Sequence, residues 1–114
     1  MSRFLVTGAA GFIGSHIVLE LLKQGHTVTA LDNLLTGSLD NLEGHTEFKE
    51  HYSFIEGDIR NPDTCINACK NQDYVIHQAA LGSVPKSIDE PELYHDNNVV
   101  GTSNIFMAAK ATNI

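Results

Sequence analysis

The apolar positions of this chain follow two alternating periods. Phe4-Leu5-Val6 is a short unbroken apolar run, as in a strand buried on both faces. Ile13, Ile17 and Leu21 then recur at helical spacing, with Val18 and Leu22 beside them. Thr27-Val28-Thr29-Ala30-Leu31-Asp32 returns to strand character and ends in an acid. Residues 33–52 turn polar, carry Gly37 and Gly44, and predict a long loop with a short helix around Leu39 to Leu42. Ser53-Phe54-Ile55-Glu56 predicts a third strand, running into Gly57-Asp58-Ile59-Arg60. Asn61-Pro62 predicts a helix start, with Asn as N-cap and Pro in the first turn. Tyr74-Val75-Ile76-His77 predicts a fourth strand that continues into Gln78-Ala79-Ala80-Leu81-Gly82. From Pro91 to Ala111 a long helix is expected, with Leu93, Val100 and Met107 at seven-residue intervals.

Strand–helix alternation with apolar strands implies an α/β protein whose parallel sheet is covered on both faces. The expected fold is a truncated Rossmann-type doubly wound sheet of four strands in the order 3-2-1-4. Ligand is expected across the carboxyl ends of the strands. In that order strand 4 is an exposed edge, and its apolar residues need a cover. At 114 residues the chain has room for one domain. No internal repeat interrupts it.

Composition narrows the classes. An apolar fraction of 42% with 18% charged residues fits a packed interior. The net charge of −7 disfavours nucleic acid and anionic membrane surfaces as partners, so an anionic ligand must be held by local dipoles. No apolar run is long enough for a membrane span. Arg3 before Phe4-Leu5-Val6 reads as the start of a strand–turn–helix unit rather than a signal peptide. Cys65 and Cys69 lie four apart on a predicted helix without a third ligand nearby. They read as reduced thiols, no metal site is expected, and the expected location is cytoplasmic. The six histidines lack ligand spacing; His77, at a strand end, is open to a ligand contact or a structural role.

The chemistry concentrates in Val6-Thr7-Gly8-Ala9-Ala10-Gly11-Phe12-Ile13-Gly14, with Asp32 eighteen residues beyond the last glycine. A strand, a glycine-rich turn and a helix N-terminus make a phosphate cradle of unpaired N–H groups and positive partial charge. Gly8 suits the tight turn, Gly11 the approach of backbone to phosphate, and Gly14 close packing of the helix on the sheet. The spacing, Gly-x-x-Gly-x-x-Gly, is one residue longer than the commoner form, so the strand and helix around it carry the signal. An acid at the tip of the second strand accepts hydrogen bonds from a ribose diol and repels a 2′-phosphate. No Arg follows Asp32 before Arg60. The pattern reads as a dinucleotide site, with NAD as first candidate; a plain structural turn is the alternative.

Five motifs in order extend this reading: Thr7 to Gly14, Asp32-Asn33-Leu34, Gly57-Asp58-Ile59-Arg60, His77-Gln78-Ala79-Ala80 and Asn97-Asn98-Val99-Val100-Gly101-Thr102. Together they resemble the amino-terminal half of an extended short-chain dehydrogenase/reductase of the nucleotide-sugar epimerase and dehydratase group. Ala79 to Ser87 is similar to the UDP-N-acetylglucosamine 4-epimerase branch. The resemblance implies that Gly8, Gly11 and Gly14 line the pyrophosphate, with Phe12 and Ile13 adding backbone contacts. It implies that Asp32 holds the adenosine ribose with Asn33 at the pocket edge, and that Asp58 and Ile59 contact the adenine. It places Ala79 and Ala80 under the central riboses and Asn98 near the cofactor end of the long helix. Gly82, Ser83 and Val84 are expected to face the sugar of a UDP-sugar. The helix over 91–111 is implied to pack in a homodimer.

The family's reaction needs a tyrosine with a lysine four residues on, which lowers the phenol pKa. Tyr52 is followed at that position by Glu56, Tyr74 by Gln78 and Tyr94 by Asn98. No catalytic residue is therefore assigned. The chain is expected to be an incomplete NAD-binding domain over 1–114, stopping before the fifth strand and the sugar-binding domain. Three readings stay open: an NAD-binding module without turnover, an epimerase half completed in trans by a second chain, or a folded remnant that binds cofactor poorly. Loss of about 2–3 kcal/mol of nicotinamide-side contacts implies roughly 30- to 150-fold weaker binding than in a complete relative.

Overall fold

A computed structural model describes residues 1–114, apart from the side chain of Thr46. In chain order the elements are β1 (Arg3–Thr7), α1 (Phe12–Lys23), β2 (Thr27–Asp32), a 3-10 run (Leu39–Phe48), β3 (Tyr52–Glu56), α2 (Pro62–Cys69) and β4 (Tyr74–His77). There follow α3 (Val84–Asp89), α4 (Pro91–His95), a π turn (Asp96–Val100) and α5 (Gly101–Ala111). The four strands form one parallel sheet in the order β3-β2-β1-β4, as the alternation predicts. Central β1 pairs Leu5 with Thr29 on one side and with Val75 on the other.

Alternation along the strands sorts the core into two layers. Leu5 and Leu31 face α2 and α5, where they pack with Ile59, Cys65, Ala68, Cys69, Ile105 and Ala108. Val6, Val28 and Ala30 face the other way, onto Val18 and Leu22 of α1, with Phe48, Tyr52 and Phe54 at the margin. Both faces of the sheet are thus covered, and this double burial explains why β1 reads as a continuous apolar run. Cys65 and Cys69 are free thiols in the first layer, and burial raises the pKa of both, that of Cys65 to about 11. Among the described residues no helix is long and apolar enough to cross a membrane.

The start of α2 follows the expected chemistry: the Asn61 side chain accepts from the Asp63 and Thr64 amides, and Pro62 opens the helix. Two elements differ from expectation. The predicted short helix around Leu39–Leu42 is a longer 3-10 run, anchored where buried His45 meets the Ser15 carbonyl of α1 at 3.1 Å. The stretch before the long helix, to which the sequence assigns no element, contains α3, whose N-cap Ser83 accepts from the Lys86 amide. The long helix itself spans its expected range as α4, the π turn and α5 in succession.

Candidate functional site

The glycine turn joins β1 to α1 at the carboxyl edge of the sheet. Gly8 sits at φ +67°, and a Cβ there would lie 2.6 Å from the Gln78 carbonyl carbon and 2.7 Å from the Ala79 nitrogen. Both the conformation and the close approach exclude a side chain. At Gly14 a Cβ would run into the Gly8 carbonyl. Gly14 therefore seats the first turn of α1 on the glycine turn itself, one step beyond the sheet contact that spacing suggests. Gly11 is the N-cap of α1, with neither a side-chain cap nor an acid in the first turn. The amino end of this twelve-residue helix is left to an anion.

Asp32, at the tip of β2, is tied into that turn. Its carboxylate accepts from the Ala10 amide at 2.9 Å and from the Leu34 amide at 2.7 Å. Two oxygens with further lone pairs leave acceptor capacity for a diol. The Ala10 carbonyl in turn accepts from the Ser38 amide at 3.1 Å and the Asn41 side chain at 2.8 Å. The loop after β2 is thereby folded back on the glycine turn. Next along, Asn33 donates to Asp58 at 3.3 Å, and the Arg60 guanidinium covers the same carboxylate at 2.7 Å. That hydrogen bond from Arg60, ahead of smaller contributions, holds the Asp58 pKa down at about 2. Asp58 is ionised and already paired.

The third wall is the loop after β4. Thr7 Oγ1 takes the Gln78 and Ala79 amides at 3.0 and 3.1 Å, beneath the glycine turn. Asn98 clamps the far end of that loop, donating to the Leu81 carbonyl at 2.9 Å and accepting from the Leu81 amide at 2.8 Å. The π turn explains how Asn97 and Asn98 both reach inward. The Gly101 amide bonds back to the Asp96 carbonyl, five residues earlier, and the widened turn brings adjacent side chains to one side. His77 does not line the cleft; its ring nitrogens face Thr7 and Thr102.

These walls enclose one cleft at the carboxyl ends of β1, β2 and β4. Of the residues singled out in the sequence, Gly8, Gly11, Asp32, Asn33, Ile59, Ala79 and Ala80 line it. Phe12 and Ile13 stand at its rim, 76% and 62% exposed, so their side chains face solvent. Gly14, Asp58 and Asn98 lie behind the lining, each holding a part that does line it. The cleft ends at Leu81; Gly82, Ser83 and Val84 lie beyond it, Ser83 as the cap of α3. Thr36, Gly37, Gln78 and Asn97 also line the cleft, and the sequence assigns none of them a role in it. Gly37 was the available signal, since a Cβ there would meet the Ala10 carbonyl at 2.9 Å.

The residues present fit a pyrophosphate-linked dinucleotide: bare backbone at the turn, an uncapped helix N-terminus, a carboxylate at one end and small alanines at the other. The NAD dependent epimerase/dehydratase family matches residues 4–114 of this chain. The UDP-glucose 4-epimerase of Neisseria meningitidis serogroup B is 46% identical over 105 residues, covering 90% of this chain and 31% of that protein. Among solved structures, UDP-N-acetylglucosamine 4-epimerase from Methanobrevibacter ruminantium M1 in complex with UDP-N-acetylmuramic acid superposes with a TM-score of 0.89. It is 41% identical, over 99% of this chain and 35% of that one. UDP-glucose-4-epimerase from Stenotrophomonas maltophila with bound NAD and formylated UDP-arabinopyranose gives a TM-score of 0.90 at 32% identity, over 100% of this chain and 35% of the other. The chain spans about a third of the length of these relatives. With the family matched over residues 4–114 and the same fold in the solved relatives, this chain belongs to the NAD dependent epimerase/dehydratase family.

Proposed function

We propose that residues 1–114 are the NAD-binding part of a UDP-sugar 4-epimerase and that, on their own, they bind NAD without turnover. The observation that carries this reading is the joining of the glycine turn to Asp32 through the Ala10 amide, in a cleft floored by Ala79 and Ala80. In this reading the α1 N-terminus and Gly11 take the pyrophosphate, Asp32 the adenosine ribose, and Ile59 the adenine face. Asp58 and Asn33 hold the rim of the adenine pocket, and the alanines let the central riboses approach. Bound NAD supplies a reversible hydride acceptor for the sugar carbon. The chain supplies binding and orientation; none of its three tyrosines has the lysine four residues on that proton transfer in this family requires.

A second reading, an epimerase half completed by another chain, is favoured by one observation. β4 lies at the sheet edge with Tyr74 half exposed, and Val99, Phe106 and Met107 are exposed on the helix beside it. Such a surface suits a partner, a second copy included.

Calorimetric titration with NAD⁺, with NADP⁺ as control, tests the first reading. Saturable NAD⁺ binding is expected, stronger than NADP⁺, and Asp32→Ala is expected to weaken it about tenfold or more while circular dichroism stays unchanged. Absence of heat from a folded sample removes the reading, and equal affinity for both cofactors removes the role of Asp32.

A further inference from the structure

His77 is more than half-buried at the end of β4, and its two ring nitrogens meet two hydroxyls. Nδ1 lies 2.6 Å from Thr7 Oγ1, and Nε2 lies 2.8 Å from Thr102 Oγ1 on α5. Counting protons settles the direction of both bonds. Thr7 Oγ1 already accepts two N–H groups, from Ala79 at 3.1 Å and from Gln78 at 3.0 Å, the Gln78 amide being shared with the Thr7 carbonyl at 3.1 Å. A hydroxyl has one proton and two lone pairs. With both lone pairs taken, its proton must go to His77 Nδ1. That nitrogen is therefore the acceptor, and Nε2–H donates to Thr102. Burial lowers the ring's pKa, which keeps it neutral as this arrangement requires. A protonated ring would bring a third hydrogen to Thr7 Oγ1 and displace an amide.

The Ala79 amide belongs to the Gln78–Ala79 peptide group against which Gly8 packs without a Cβ. We propose that His77, held as the Nε2–H tautomer, is a positioning residue: through Thr7 it fixes the Gln78–Ala79 backbone and so sets the spacing between two walls of the cleft. The relay spans three elements, with β1 giving Thr7, β4 giving His77 and α5 giving Thr102. The inference rests on the NAD-binding reading only for its consequence on affinity; the tautomer and the fixed amides are properties of the chain alone.

The test has two arms. Long-range ¹⁵N correlation of the His77 ring in the purified chain, with amide exchange at Gln78 and Ala79, examines the relay without cofactor. The Nε2–H tautomer is expected. Exchange at Ala79, whose amide has only the Thr7 hydroxyl, is expected to rise about tenfold in His77→Leu and in Thr7→Val. A smaller rise is expected at Gln78, which keeps the Thr7 carbonyl. Both amides are expected to stay near wild type in His77→Asn and Thr7→Ser, which keep the acceptor or the hydroxyl. An Nδ1–H tautomer, or unchanged exchange in His77→Leu and Thr7→Val, overturns the proposal. Calorimetry with NAD⁺ forms the second arm, with His77→Leu expected to weaken binding about tenfold and His77→Asn by less than about threefold. Faster exchange with unchanged NAD⁺ affinity overturns the positioning role. No binding by the wild-type chain removes the functional reading instead, and leaves the relay to be decided by the first arm.

Discussion

A single carboxylate illustrates how much the neighbours of a residue decide. Asp32 and Asp58 both end or follow a strand and both were legible as adenosine-side acids, yet they stand in different states. Asp32 is held by backbone amides and faces the cleft, whereas Asp58 is capped by Arg60 and held at a pKa of about 2. Because the folded pKa of Asp58 lies below its ordinary value of 3.8, its stabilising contribution is complete above that value and is lost as pH falls towards about 2. Arg60→Ala is expected to return the Asp58 titration towards 3.8 and to flatten this acid limb. Carboxyl ¹³C titration and thermal melts between about pH 5 and pH 2 check it; an unmoved Asp58 titration would show that Arg60 is not the dominant partner. Asp32 was readable because its place, a strand tip after a glycine turn, is defined by order along the chain. The choice between Asn97 and Asn98 was not, since it depends on helical phase. The π turn shifts that phase, so the expected Asn98 clamps Leu81 while Asn97 lines the cleft.

Elements were legible in proportion to their burial. β1 and β2 announce themselves because their two faces feed both core layers, and α1 because it puts one full face into the second. α3 has no buried residue, so it left no apolar period, only the Ser83 cap and a following proline. The 3-10 run is similarly faint, its inward contacts being spread over Asn41, Leu42, His45 and Phe48 without a regular apolar period. What seats the first turn of α1 on the glycine turn is the contact of Gly14 with the Gly8 carbonyl, which a methyl group cannot share. Gly14→Ala is expected to cost about 1–3 kcal/mol, through displacement of the first turn of α1. Urea denaturation measures it, and a loss below about 0.5 kcal/mol would mean that the turn yields freely.

At the scale of the whole molecule, the candidate cleft sits on one rim and exposed apolar surface on another. The helix stripe of Val99, Val100, Phe106 and Met107, with pairs seven residues apart, faces outward beside the β4 edge. A homodimer burying this stripe is expected, and sedimentation at micromolar concentration tests it; a monomer there would leave the stripe to another partner. The cleft rim is tied together at one residue. Ala10 gives its amide to Asp32 and its carbonyl to Ser38 and Asn41, so the turn, the acid and the returning loop move together. That knot also divides the connection between β2 and β3 into two stretches with different freedom to change length. Up to Asn41 every residue is counted, because an insertion there would pull the loop off Ala10 and open the cleft. Beyond the knot the run is held again by His45 on α1 and by Phe48 at the core, so a lineage or an engineer adding residues to this fold has its room in the exposed turn at Lys49 and Glu50, ahead of β3.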